Sequence, residues 1–300
     1  MALTKEQLAI RKVGGSDVAT ILGLNPFKSA VELYHEKRGT LEPVDLSENL
    51  PVEAGNVLED GIAELAALHM ARAWNKPVKL RRCNLTLIHP KYEWLTVHID
   101  RDVVGEERGV ECKNVGWRAA RNWGPSGTDE VPDYYLPQPM VYMLVKNYPV
   151  WTVAGYFGGA EMRLYDIQRD PDWDEIIITK TDEFWRCVQT GAPPTLDLTG
   201  PRALEIVKRV YPGTNGEIVV CDADTEHWRY VMQSAEKLAS DYQKSADLAK
   251  ARLLAVMGEA AVLKFSDGAS LERKLIKRKG FVVEPSEHIQ ARIKKGKDDA

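Results

Sequence analysis

The order of helical and strand patterns in the amino-acid sequence predicts an α/β fold, with a C-terminal appendage that combines a helix with a small β structure. Two observations support this class. Apolar residues recur at helical spacing in some segments and alternate at strand spacing in others, and the two patterns intermingle up to about residue 190. Proline-containing segments then run to about residue 213, and one long helical pattern follows them. We therefore predict two domains, residues 1–195 and residues 196–300.

The composition is that of a soluble globular protein, since 44% of the 300 residues are hydrophobic and 28% are charged. The sequence contains no run of eighteen apolar residues, so no transmembrane helix is predicted, and the first residues lack a signal-peptide pattern. Four widely spaced cysteines without a C-x-x-C pair fit a reducing cytoplasm and argue against a zinc site or a disulfide framework. The net charge of −4 produces no global basic field, so composition alone favours a cytosolic enzyme with a small substrate.

The N-terminal third is predicted to be helical. Ser16 or Asp17 is a suitable N-cap for a short helix that ends at Gly23. A second helix is predicted over residues 29–38, and a longer one over residues 52–73, where apolar residues form one stripe.

Strand patterns dominate the middle of the chain. Alternation predicts strands over residues 78–88 and 94–104, and a hairpin connection at residues 105–109 leads to a strand over residues 110–115. The following elements are a loop rich in Trp, Gly and Pro, a helix, a strand and a closing helix, at residues 117–132, 134–146, 150–158 and 173–189.

The C-terminal appendage begins with a long helix predicted over residues 225–257. A meander follows, with turns at residues 266–268 and 278–280, and lysines and arginines crowd this region. Two interpretations of these basic side chains stay open: contact with phosphates or with a partner protein, or a solvated charged edge that prevents strand pairing.

The segment most informative about chemistry is the hairpin that contains Asp100, Asp102, Glu111 and Lys113. Residues two apart in a strand share a face, so Glu111 and Lys113 point the same way. A tight hairpin places Asp100 opposite Lys113 and Asp102 near Glu111. The sequence therefore predicts two or three carboxylates and one ammonium group on one face of the sheet.

Carboxylate oxygens at this spacing favour Mg²⁺ or Mn²⁺, and the main-chain carbonyl of Cys112 is a further candidate ligand. Repulsion among the carboxylates raises their proton affinity unless a cation binds there. Lys113 is then placed to orient or deprotonate water and to stabilise charge on a phosphate. The alternative is a solvated hairpin with cross-strand ion pairs, which explains an isolated Asp and Glu-x-Lys pattern equally well.

Neighbouring motifs favour the chemical interpretation, because their order and spacing resemble the PD-(D/E)XK nuclease superfamily. Asp100-Arg101 resembles the D-R of its RecB-like branch, and Gln138 with Tyr142 resembles the Q-x-x-x-Y helix motif. Within the superfamily, the chain is most similar to the YqaJ-like viral recombinases, relatives of lambda exonuclease. The segments that carry this similarity are Gly14-Gly15-Ser16-Asp17, Leu22-Gly23-Leu24-Asn25-Pro26-Phe27, Gly55-x-x-Leu58-Glu59 and Tyr134-Tyr135-Leu136-Pro137-Gln138, within residues 9–190.

The resemblance implies a restriction-endonuclease-like core, in which helices flank a central mixed sheet. It also implies metal-dependent hydrolysis of DNA phosphodiesters with one or two Mg²⁺ or Mn²⁺ ions. It implies that Asp100 and Glu111 are metal ligands and that Lys113 is the catalytic lysine. Glu59 becomes an outer or second-metal carboxylate.

The resemblance also implies DNA contacts. Gln138 and Tyr142 are expected to position DNA or water, and Ser16 matches a serine that binds the phosphate of the DNA end. The family's arginine, seven residues before that serine, is an alanine here, so Arg11 or Lys12 is the candidate replacement. Recognition of the 5′-phosphate therefore does not follow directly from the motif.

The leading hypothesis is an exonuclease that resects double-stranded DNA ends, in the 5′ to 3′ direction, for phage-type recombination. The single strands would pass to an annealing protein in the cytoplasm of a bacterial host, the gene being carried by a phage or prophage. Because relatives form rings around DNA, the resemblance also implies a homo-oligomer. Two alternatives stay open: a structure-specific or flap endonuclease on the same core, and a DNA-binding or assembly protein whose site is vestigial.

Overall fold

The computed structural model describes residues 12–199 and 202–276. The chain divides into two compact units between Tyr211 and Pro212, whereas the sequence predicted a boundary after residue 195. Arg11 and the predicted turn at residues 278–280 lie outside the described residues. Among the described helices, none combines the length and apolarity needed to cross a membrane.

The first unit alternates helices and strands as predicted. Its helices are α1 (Val18–Ile21), α2 (Ala30–Arg38), α3 (Leu50–Trp74), α4 (Pro137–Lys146), α5 (Pro171–Thr190) and α6 (Ala203–Val210). Its strands are β1 (Val13–Gly14), β2 (Leu80–Arg82), β3 (Leu87–Ile88), β4 (Leu95–Val97), β5 (Arg101–Val103), β6 (Arg108–Val115), β7 (Val150–Phe157) and β8 (Glu161–Gln168).

The central sheet has the strand order β2-β5-β6-β7-β8. Strands β6 and β7 are parallel, with α4 in the connection between them, and the other neighbours are antiparallel. A smaller sheet has the order β1-β4-β3, in which β1 is parallel to β4. The predicted mixed sheet flanked by helices is therefore confirmed.

Two of the predicted strands are each divided in the structure. The segment over residues 94–104 forms β4 in the small sheet and then β5 in the central sheet, and the segment over residues 78–88 forms β2 and β3. The chain leaves one sheet and enters the other between residues 98 and 100. Apolar and polar residues alternate without interruption across this point, so the sequence pattern gave no sign of the change of sheet. The sequence also missed β8 and α6.

The ends of the helices follow local capping rules. Ser29 and Glu32 form a capping box at the start of α2, and Gly39 ends that helix with a φ of 71°. Helix α3 starts after Asn49, whose side chain accepts the Val52 N–H, and ends at Asn75 with a φ of 50°. These signals explain why the predicted and observed helices agree within a few residues.

Apolar side chains fill both faces of the central sheet. The face that α3 covers buries Ala66 and Met70 against Val110 and Ala154. The opposite face, covered by α4 and α5, contains the larger cluster, with Trp151 fully buried at its centre. The site residues of β5 and β6 are therefore fixed between two packed layers.

Helix α6 belongs to the first unit because ion pairs fasten it to α2. Arg209 contacts Glu32 at 2.7 Å and Glu36 at 3.4 Å, and Ile206 is buried. Glu32 is fully buried, and although burial opposes ionisation, hydrogen bonds from Ser29 and Arg209 lower its pKa overall. This attachment explains why the compact unit extends past residue 195.

The register of the hairpin between β5 and β6 differs from the prediction. Arg101 pairs with Val110 and Asp102 with Gly109, so the expected pairs of Asp100 with Lys113 and of Asp102 with Glu111 were wrong by two residues. The turn closes early, since the Val103 carbonyl accepts the Glu106 N–H at 3.2 Å and Gly105 has a φ of 87°. Gly109 is thereby drawn into the strand.

The second unit begins with helix α7 (Ala223–Met257), which confirms the long predicted helix. Asp222 caps its first turn by accepting the Thr225 N–H at 2.8 Å. Strands β9 (Val262–Lys264) and β10 (Ser270–Glu272) then pair as an antiparallel hairpin across the predicted turn at residues 266–268.

The contact between Gly109 and Trp151 leads to a stability prediction. A Cβ atom at residue 109 would overlap the Trp151 ring, which is fully buried and has no room to withdraw. We expect Gly109→Ala to lower the free energy of unfolding by about 1–3 kcal/mol through overpacking. Gly61→Ala is the matched control, because Gly61 lies in α3 and a Cβ atom there would meet no atom within 4 Å. That change should raise the free energy of unfolding by up to about 1 kcal/mol. Denaturant unfolding followed by tryptophan fluorescence measures both variants, and an equal shift of the two unfolding midpoints would contradict the prediction.

Candidate active site

Two carboxylates meet where β5 begins beside β6. Asp100 immediately precedes β5, and its Oδ2 accepts the main-chain N–H of Cys112 at 2.8 Å. Glu111 lies within β6 and is only 3% exposed. The corrected register therefore brings Asp100 beside Glu111, and the N–H of Cys112 holds the Asp100 carboxylate in place.

Lys113 joins this pair to helix α4. Its Nζ donates to Glu111 Oε1 at 2.6 Å and to Gln138 Oε1 at 2.9 Å, and it lies 5.1 Å from the Tyr135 ring centroid. Gln138 in turn donates through Nε2 to the Tyr142 hydroxyl at 2.6 Å. The structure thus places Glu111, Lys113, Gln138 and Tyr142 in one continuous hydrogen-bonded chain.

Burial controls the protonation of these groups. Burial, together with the charge of Glu111, raises the pKa of Asp100 to about 8. Burial also opposes the charge on Lys113, but the charge of Glu111, its hydrogen bond and the charge of Asp100 together raise the Lys113 pKa. Burial and the neighbouring carboxylates raise the pKa of Tyr142 well above its ordinary value, so its hydroxyl stays protonated.

The donor set fits a hard divalent cation. Glu111 Oε2 is buried, and within the described residues it has no hydrogen-bond partner. No three His, Cys, Asp or Glu side chains in residues 12–199 and 202–276 form a group that could hold a metal ion. Mg²⁺, however, usually binds through one or two carboxylates and takes its remaining ligands from water and substrate phosphates. Asp100 and Glu111 meet that requirement.

Glu59 is held by Arg101, a contact that the sequence did not predict. Arg101 is 4% exposed, and its Nη1 donates to Glu59 Oε1 and to the Asp100 carbonyl, each at 2.7 Å. Its Nη2 contacts Asp60. The D-R dipeptide was the sequence feature that could have revealed the role of Arg101, because a charged side chain on the buried face of a strand requires partners of opposite charge.

Asp102 lies apart from Glu111, contrary to the predicted hairpin geometry. Its Oδ2 contacts Lys146 at 3.2 Å and Arg81 at 3.4 Å. Two cations therefore neutralise this buried carboxylate, whereas Lys113 is the one cationic side chain of the described residues that bonds to the Asp100 and Glu111 pair.

The glycine-rich N-terminal turn packs on the site through Gly15. A Cβ atom at Gly15 would lie 2.7 Å from Cε1 of Tyr142, so only glycine allows this approach. Asp17 accepts the Gly14 N–H at 2.8 Å and pairs with Lys37, instead of capping α1 as predicted. Ser16 is exposed beside this contact, and Lys12 lies just before β1.

Aromatic side chains around the site differ in exposure. Trp123 is buried against Phe157 and Tyr165 and belongs to the core. Tyr134 and Tyr135 stack at 4.3 Å, and Tyr135 faces Lys113. Trp117, in contrast to Trp123, is exposed.

Comparison with known proteins relates this geometry to one family. The model of the YqaJ-like viral recombinase domain matches residues 6–152. The uncharacterized protein YqaJ of Bacillus subtilis (strain 168) is 30% identical over 241 residues, which cover 79% of this chain and 72% of that protein.

Solved structures show weaker likeness. An alkaline exonuclease (LHK-Exo) from Laribacter hongkongensis superposes with a TM-score of 0.49 and 15% identity, covering 63% of this chain and 94% of that one. A phage-related exonuclease from Haemophilus somnus 129PT gives a TM-score of 0.40 and 15% identity, with 60% and 96% coverage.

The family match spans the glycine-rich turn, the helix that carries Glu59, both strands of the carboxylate pair, the whole of α4 and the start of β7. The Bacillus relative extends the similarity along most of both chains. The resemblance carried by the sequence motifs is thus confirmed, and the chain belongs to the YqaJ-like viral recombinase family.

Proposed function

We propose that this protein is a metal-dependent deoxyribonuclease that degrades double-stranded DNA from its ends. The observation that carries the proposal is the hydrogen-bonded set of Asp100, Glu111, Lys113 and Gln138 in a member of a recombinase family. The buried Glu111, the half-buried Asp100 and the ammonium group of Lys113 provide the charges that phosphodiester hydrolysis requires.

The residues that would hold Mg²⁺ or Mn²⁺ are Asp100 and Glu111, with the Cys112 carbonyl as a third donor and Glu59 as an outer carboxylate. The unpartnered Glu111 Oε2 and the raised pKa of Asp100 support this, because both features favour a nearby positive charge. When bound, the ion supplies Lewis acidity to the phosphate and lowers the pKa of a water molecule.

The side chains of the site do the remaining work. Lys113 keeps its proton at Nζ, since its pKa is raised, and so presents a positive charge to the phosphate as negative charge develops there. Gln138 accepts a hydrogen bond from Lys113 Nζ through its Oε1 and so fixes the direction of the ammonium group. The Tyr142 hydroxyl, buried beneath Gly15, accepts from Gln138 and keeps that amide oriented.

The end of the DNA would be held by the glycine-rich turn. Ser16 is exposed on this turn, and Lys12 precedes it, so both can reach a 5′-phosphate, with Arg11 as a further candidate. We propose resection in the 5′ to 3′ direction, which would leave single strands for an annealing protein in the cytoplasm of a bacterial host. Assembly as a ring around DNA would keep the enzyme on its substrate.

The first prediction concerns Lys113. Purified protein should degrade linear duplex DNA with Mg²⁺ and stop when EDTA is added. Lys113→Ala should lower kcat by about 10²–10³, the effect of removing one preorganised charge-stabilising donor. Lys180→Ala is the control, because Lys180 is exposed on α5 and pairs with the exposed Glu183. An inert wild type, or a Lys113 variant that matches the control, would refute the nuclease.

The second prediction concerns direction. Duplexes labelled at one 5′ or one 3′ end should release the 5′ label first as a mononucleotide, and covalently closed circles should stay intact. Ser16→Ala should reduce the preference for a 5′-phosphate over a 5′-hydroxyl end, because one hydrogen-bond donor to the phosphate is lost. Cleavage of closed circles would instead support the endonuclease alternative.

The third prediction concerns Arg101 as a positioning residue. Arg101→Lys keeps the charge but cannot reach Glu59, Asp60 and the Asp100 carbonyl together. We expect kcat to fall while KM for DNA stays unchanged, and the metal concentration for half-maximal activity to rise. Arg82→Lys is the control, since Arg82 is 46% exposed and lies 3.7 Å from Glu59. Equal kcat in both variants would exclude this role, and thermal unfolding separates it from a loss of fold.

A further inference from the structure

One face of α7 carries residues spaced alternately by three and four positions, the pattern of a coiled-coil seam. Seven of these nine side chains are aliphatic or aromatic, and one Ser and one Arg interrupt the series in its second half. The seam consists of Trp228, Val231, Ala235, Leu238, Tyr242, Ser245, Ala249, Arg252 and Val256.

The seam is open in the structure. Trp228 is 67% exposed, Leu238 57% and Tyr242 74%. Among the described residues of the second unit, Met257 alone is buried. A helix of this length gains most of its stability from packing an apolar face, so a face this exposed indicates an interaction surface.

The seam is complementary to itself in one orientation. In a parallel pair each residue faces its own copy, so Arg252 would meet Arg252 in the core. In an antiparallel pair with full overlap, Trp228 faces Arg252, Val231 faces Ala249, Ala235 faces Ser245 and Leu238 faces Tyr242. The only charge in the seam then stacks on its largest aromatic ring, a favourable cation–π arrangement.

The positions beside the seam also suit a helix partner. Ala239, Ala246 and Leu253 flank one side and carry no charge. Asp241, on the other side, contacts Lys244 of its own helix at 3.1 Å, which offsets its charge near a symmetry axis. Neither flank therefore opposes the close approach of a second α7.

We propose that α7 pairs with α7 of a second copy of this chain as an antiparallel two-stranded coiled coil. The contact is isologous, so it closes after two copies and does not propagate into a fibre. It joins two nuclease units through a surface distinct from the carboxylate site of the first unit.

Site-specific disulfides test both the occupant and the orientation. In a Cys221→Ser background, a mixture of Val231→Cys and Ala249→Cys chains should form a covalent dimer on mild oxidation. Each variant alone should not, because the two copies of residue 231 would stand about 27 Å apart along the axis. Crosslinking of either variant alone would overturn the antiparallel pairing.

Gln233→Cys mixed with Asp247→Cys is the matched control. These residues lie at corresponding heights on the face opposite the seam. The control mixture should stay uncrosslinked, and a yield equal to that of the seam mixture would show that the disulfides report random collision.

The mass in solution provides a second measurement on the full chain. Light scattering over a dilution series should give the wild type twice the mass of a Leu238→Glu/Tyr242→Glu variant, even if the first unit also assembles. Gln233→Glu/Gln243→Glu, on the outer face, should keep the wild-type mass. Circular dichroism confirms that the helix is retained. Equal masses for the wild type and the seam variant would mean that the seam of α7 does not bind a second copy, and this result would refute the proposal.

Discussion

The repulsion between Asp100 and Glu111 is the constraint on which the site depends. Both carboxylates are withdrawn from water, and burial with the Glu111 charge raises the pKa of Asp100 to about 8. Among the described residues, the ammonium group of Lys113 donates to Glu111, and the main-chain N–H of Cys112 donates to Asp100. Such a pair stays close only because the strands that carry it are fixed between α3 and α4. The sheet therefore supplies the stability that the site itself lacks.

The break between β4 and β5 allows the Asp100 carboxylate to lie beside Glu111. A continuous strand would place every side chain in strict alternation, whereas the chain changes sheet between residues 98 and 100. Asp100 stands at that change, free of regular pairing, and its carboxylate turns to the Cys112 N–H. The next residue, Arg101, points to the opposite face and binds both the Asp100 carbonyl and Glu59. One dipeptide thus connects the two faces of the sheet.

Local signals were sufficient to predict most of the helices and the family, because caps, periodicity and the order of motifs depend on a few neighbouring residues. Ser29 and Gly39, at the two ends of α2, show this directly. The hairpin register was not predictable in the same way, because it depends on the early turn at Gly105 and on the fit of Gly109 against Trp151, a residue of another strand. Strand β8 was missed since its exposed edge position leaves only a weak apolar pattern.

The net charge of −4 suggested a small substrate, but the location of the charges changes that inference. Among the described residues, the buried charged side chains are four carboxylates (Glu32, Glu36, Asp102 and Glu111) and one arginine (Arg101). These buried side chains carry a formal net charge of −3, four carboxylates less one arginine, and they serve ion pairs and the carboxylate site. The net charge of the chain counts such buried groups together with those on the surface, so it is a poor guide to the potential that a ligand meets at one local site. Surface charges are also screened beyond about 8 Å at physiological salt. The mild negative charge therefore does not exclude a polyanionic substrate.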